Sequence, residues 1–157
     1  MNPPNPHSQL YNQKPLSVFK TLFSGLPIPE IQSLRGVYKG EFTGPGWLRI
    51  AAGPSLALAG MGGWCGKDLQ ADRTGINLIL RKGQYIRRFP MRIVNLPSLI
   101  DGEVGVTVTY THDCPFPWPY IIDELRQIDT STLLGMTIVN VKLLNNLAFP
   151  FLLFKTS

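Results

Sequence analysis

The sequence predicts a mainly β fold, an antiparallel barrel or sandwich of about eight short strands with a short helix near its N-terminal end. Three observations carry this. Short runs rich in β-branched and aromatic residues recur from residue 34 onward. They are separated by turn signals such as Asp72-Arg73-Thr74-Gly75, Lys82-Gly83 and Asp101-Gly102. Apolar residues make up 44% of the chain and charged residues only 16%, against about 25% charged in an average domain. That balance implies a large interior, a lined cavity, or contact with lipid or partners.

A chain of 157 residues is expected to form one domain able to bury a core without metal or disulfide staples. Residues 1–14, rich in Pro and Asn, are expected to be disordered, with residues 15–157 as the domain. Within it, Leu16, Phe19, Leu22 and Phe23 fall at helical spacing between Pro15 and Gly25, predicting a short helix that plugs or covers the core. Residues 34–43 alternate, with Tyr38, Gly40 and Phe42 on one face, as a half-buried strand does. The very apolar stretch 47–63 is interrupted by Arg49, Gly53 and Pro54 and is too short for a membrane span. A short helix capped by Ser55 and ending at Gly60 is expected there, as core, lid or membrane-facing loop.

Strands then follow at residues 63–69, 76–82, 84–94, around the Asp101-Gly102 turn, 120–128, in TLLGMTIVNV and in FPFLLFK. Residues 112–119, HDCPFPWP, read as a Pro-rich loop. No internal repeat is visible.

The net charge of +5 comes without a Lys/Arg block or basic stripe, so nucleic-acid binding is not expected. Two cysteines, Cys65 and Cys114, make neither a disulfide framework nor a zinc set. No cofactor is expected. The absence of an apolar leader segment makes a cytoplasmic location the default expectation. Neither a phosphate loop nor a nucleophile elbow or zinc-protease motif occurs, and Gly60-Met61-Gly62-Gly63 lacks the residues that would make it one.

The polar candidates are few. Asp123, Glu124 and Arg126 are set among core-forming residues, and buried charges need partners or a cavity. On a strand, Glu124 and Arg126 share a face and Asp123 takes the other; on a helical turn Asp123 and Arg126 would pair. Arg126 is either half of a structural ion pair or a donor fork for a ligand, held by Asp123. Trp64 and Lys67 offer a pocket wall and a cationic contact, with core and surface packing as the alternative. Asn77, Arg92 and Tyr110 lie in strands and become polar handles if they face inward. Trp47, Phe116 and Trp118 in loops suggest a pocket mouth or an interface.

The order of these segments resembles a bacterial lipocalin-like (calycin) family of unknown function, the GxWxG-type domains. The likeness covers about residues 16–156: the Phe-bearing helix and Pro27-x-Pro29, Gly36-x-Tyr38-x-Gly40, Trp64-x-Gly66-Lys67, the strand ending in Tyr110, the run Tyr120 to Arg126, Thr132 to Met136, and Phe151 to Phe154. Tyr38 stands where that family has Trp, and the insert 44–63 is longer. The resemblance implies an eight-stranded barrel with an interior cavity. Related haem-binding barrels use a late His, and none follows His112.

The functional expectation is a barrel that binds a small, largely apolar ligand, contacted by Trp64, Lys67, Asn77, Arg92, Tyr110, Asp123 and Arg126. One alternative is a cofactor-independent isomerase, cyclase or hydrolase with Asp123 as base. Another is a module that meets a membrane or partner through loops 44–63 and 112–119. The oligomeric state is not readable from the sequence.

Overall fold

A computed structural model describes residues 5–156. Eight antiparallel strands close into a barrel in sequence order: β1 (Gly36–Phe42), β2 (Trp64–Leu69), β3 (Thr74–Arg81), β4 (Gln84–Pro97), β5 (Val104–Tyr110), β6 (Ile121–Asp129), β7 (Thr132–Val139) and β8 (Ala148–Lys155). Closure is made by β1, which pairs with β2 on one side and with β8 on the other. Of the expected strands, the runs 84–94 and the first half of the Asp101-Gly102 hairpin are one continuous strand, β4.

β4 can serve two neighbours because it bends. Its first half pairs with β3 and its second with β5. The bend is a bulge opposite Ile76 and Asn77, where Phe89 takes φ 55°. A left-handed backbone is unfavourable for an aromatic residue. Here it turns the Phe89 ring inward, where it stacks on Trp118 at 5.4 Å between centroids. A proline inside β8 is tolerated for a related reason. The β1 ladder starts only at Phe151, so Pro150 has no missing bond on that side.

Alternation sorts side chains to two cores. Tyr38, Leu69, Met91, Val108, Leu125 and Leu153 belong to the cluster inside the barrel. Leu134, Met136, Ile138 and Leu152 point outward, where Phe19 and Phe23 cover them. β7 is therefore buried on both faces, which explains its nearly unbroken apolar run.

The helices depart from expectation in three ways. Residues 6–12 of the segment expected to be disordered form helix α1 (Pro6–Asn12), with Tyr11 buried against Phe19 and His7 Nε2 2.7 Å from Asp129 Oδ2; residues 1–4 lie outside the described residues. The Leu16 to Phe23 region is a single 3₁₀ turn leading into α2 (Phe19–Ser24). Of the two placements expected for it, it covers, packing over Leu134 and Leu152 on the outside of the barrel, and does not plug the interior. The bottom is instead closed by the 3₁₀ turn Ile31–Leu34. Finally, α3 runs from Gly46 to Leu58, straight through Pro54, with Ser55 in its interior bonded to the Ala51 carbonyl rather than capping it. No helix among the described residues is long and apolar enough to cross a membrane.

Because the strands alternate in direction, segments 43–63, 82–83, 111–120 and 140–147 gather at one end of the barrel. α3 lies across that end. Leu48, Ala52 and Leu56 recur every four residues on its inner face, and Leu56 packs on the interior cluster.

Candidate functional site: a lidded cavity over a buried lysine

A cavity of about 250 Å³ lies between α3 and the barrel interior. Phe42, Leu48, Leu56, Trp64, Trp118 and Phe151 make most of its wall. Trp64 and Phe151 can enter only because small residues face them. A Cβ on Gly40 would collide with the Trp64 ring, and one on Gly135 with the Phe151 ring. The two rings then meet edge to face at 5.7 Å.

Among the described residues, the only charged groups lining the cavity are Lys67 and Asp123, joined by Tyr110, Thr137 and, from α3, Ser55 as polar lining residues. Lys67 extends inward from β2 and is fully buried. Its ammonium has three donors, and each is used. It reaches Asn77 Oδ1 at 3.0 Å, the Tyr110 hydroxyl at 3.0 Å and Asp123 Oδ2 at 2.9 Å. The Tyr110, Phe151 and Trp64 rings surround it at 5.5, 5.8 and 5.9 Å from their centroids, a cation–π arrangement. Asp123 is equally occupied. Its Oδ1 accepts from Thr137 Oγ1 at 2.7 Å, and its Oδ2 accepts from the Tyr110 hydroxyl at 3.3 Å as well as from Lys67. Asn77 completes the cluster by accepting from Trp64 Nε1 at 3.1 Å and donating to the Phe89 carbonyl.

Burial by itself lowers a lysine pKa, but the Asp123 carboxylate and the Tyr110 hydroxyl outweigh it and hold Lys67 above its ordinary value. Burial and the Asp123 charge push the Tyr110 phenol up to about 12, with Lys67 opposing them. The cluster is thus a fixed Lys⁺–Asp⁻ pair with a neutral phenol between them. Among the described residues no buried side-chain nitrogen or oxygen lacks a hydrogen-bond partner.

Of the sequence candidates, Trp64, Lys67, Tyr110 and Asp123 line the cavity, and Asn77 stands immediately behind Lys67. Two do not belong. Arg92 is exposed, since it falls between the inward-facing Met91 and Ile93 on β4. Arg126 is buried on the outer face, under the Phe23 ring at 4.7 Å. It donates to Asp101 at 2.9 and 3.1 Å and to the Leu26 carbonyl at 3.4 Å. β6 is extended, so Asp123 and Arg126 sit on opposite faces and form no pair. Arg126 and Glu124, which accepts from the Ser98 hydroxyl and the Leu99 N–H, both hold the 98–103 turn. Asp123 thus faces the cavity, as the reading of it as a base requires, with both oxygens already accepting from Lys67, Tyr110 and Thr137.

Sequence reasoning missed Thr137, Leu48, Leu56 and Phe151. Thr137 was findable in principle: it sits directly across the ladder from Asp123, on the same face.

No protein-family model matches this chain, and no curated protein matches it. A crystal structure of a protein from Thermomonospora curvata is similar in fold, with a TM-score of 0.69, 16% identity, and coverage of 90% of this chain and 87% of that one.

Proposed function

We propose that the protein binds a small, uncharged, largely apolar molecule in the cavity beneath α3. The observation that carries this is the saturation of the polar cluster. Lys67 and Asp123 neutralise each other, and every ammonium donor is already engaged. A charged guest would have to shed its hydration without gaining a free partner. A neutral guest meets apolar walls and finds polar contact at the Thr137 hydroxyl. In size, a cavity of about 250 Å³ suits a guest on the order of ten non-hydrogen atoms, scaling from the 150 Å³ that admits benzene. Membership of the GxWxG-type lipocalin-like barrels is part of the proposal, supported by the order of motifs along the chain and by the glycine at position 40 that seats Trp64.

The test compares two probes of one shape, a naphthamide and the matching naphthoate, followed by calorimetry and by quenching of tryptophan fluorescence. The naphthamide is expected to bind at least about tenfold more tightly. Equal or tighter binding of the naphthoate, or no binding of either at millimolar concentration, overturns the proposal. Ala52→Trp, which fills the cavity from the lid, should abolish binding while leaving the barrel folded. Native mass spectrometry of protein taken from its own host would then show the natural guest.

A further inference from the structure

We infer that the α3 end of the barrel docks on an anionic lipid surface. This rests on the outside of the molecule and is independent of what the cavity holds. α3 is apolar on both sides. While Leu48, Ala52 and Leu56 face inward, Trp47, Ile50, Pro54 and Leu58 share the opposite face, with Trp47 61%, Ile50 78% and Leu58 94% exposed. Large apolar side chains grouped on one exposed face mark an interaction surface.

Neighbouring loops extend the same character. Phe116 is 81% and Leu143 90% exposed, and Tyr120 and Tyr85 also stand in solvent. These segments are tied to one another: Trp118 Nε1 donates to the Ala59 carbonyl, Asn140 N–H to the Tyr120 carbonyl, and Arg81 Nε to the Gly62 carbonyl.

Charge selects the occupant. Arg49, Arg81, Lys82, Arg88 and Lys142 are exposed around this end. Arg87 is turned aside to Asp68 at 2.8 Å. Of the 10 Asp and Glu residues in the chain, Asp113 alone falls in segments 43–63, 81–88, 111–120 and 140–147. The opposite end carries Glu30, Asp72, Asp101, Glu103 and Asp129. Exposed aromatic and aliphatic residues interleaved with Lys and Arg, at a pole whose loops carry one acid against five at the other, match a headgroup interface with anionic lipid. The apolar residues project from separate loops, an arrangement better met by a deformable lipid surface than by a rigid second copy.

The experiment is flotation of the full chain with vesicles of phosphatidylcholine alone or mixed in equal parts with phosphatidylglycerol. Binding to the mixed vesicles is expected to exceed binding to phosphatidylcholine by at least about tenfold and to weaken as salt rises. The double variant Ile50→Asp, Leu58→Asp should lose at least about tenfold in partitioning. Val104→Asp, at a residue 61% exposed at the other end, should lose nothing; circular dichroism checks that both variants fold. Absence of vesicle binding overturns the inference, as does equal loss in the Val104→Asp control. So does a dimer, seen by light scattering, that disperses in the double variant while neither protein floats.

Discussion

Lys67 shows how a charge survives in a core. Its cost of desolvation is offset only because one carboxylate, one phenol and one amide are each placed within 3.0 Å of the ammonium. Lys67→Met removes the cation and leaves Asp123 buried without its counter-charge. A loss of about 3–5 kcal/mol in urea unfolding is expected. The double variant Lys67→Met, Asp123→Leu should recover most of that, because a matched apolar pair carries no orphan charge. Arg126→Met provides the contrast. Asp101 is near solvent and can rehydrate, so the expected loss is only about 1–3 kcal/mol. The cluster also sets a pH dependence. Tyr110, raised to about 12, and Lys67, also raised, both have folded pKa values above their unfolded ones. Their stabilisation is therefore complete below about pH 10 and is lost as pH climbs towards and past 12. Unfolding midpoints should be flat from neutral pH to about pH 9 and fall steeply above about pH 10, and Tyr110→Phe should shallow that fall.

At the scale of elements, strands were legible and their surroundings were not. Period-two alternation in β6 correctly separates Asp123 from Glu124 and Arg126. Which of the two faces is the interior depends on α2 covering the outside, a contact between segments about a hundred residues apart along the chain. That is why Arg126 was placed at the cavity and lies instead beneath Phe23. Arg92 failed for a different reason: the Phe89 bulge resets the alternation of β4, and nothing in the local sequence announces a left-handed phenylalanine. α3 was read short because Pro54 and Gly53 look like breakers. Its packing on the barrel through Leu48, Ala52 and Leu56 overrides them. The glycines facing aromatic rings give this scale its prediction. Gly135→Ala should drive Phe151 from its seat and cost about 1–3 kcal/mol, measured by thermal unfolding, and should reshape the cavity beside Lys67.

For the whole molecule, stability is spread unevenly. Closure bonds every strand on both edges, but β6, β7 and β8 are also covered on much of both faces. Their amides should be the slowest to exchange with deuterium, while those of α3 and segment 140–147 exchange fastest. The opposite ordering would contradict the barrel as the cooperative unit. α3 has one further property. Strand hydrogen bonds encircle the cavity but none runs to this helix, which is joined to the wall by side-chain packing and by a few backbone contacts at its ends. If the cavity takes a guest as proposed, the strands supply its polar floor, while α3 supplies part of the apolar wall and also sets the speed of exchange. Residence time belongs to the opening of one thirteen-residue helix. A substitution that loosens α3 without touching the wall should shorten the lifetime of a complex far more than it changes what the cavity prefers to hold.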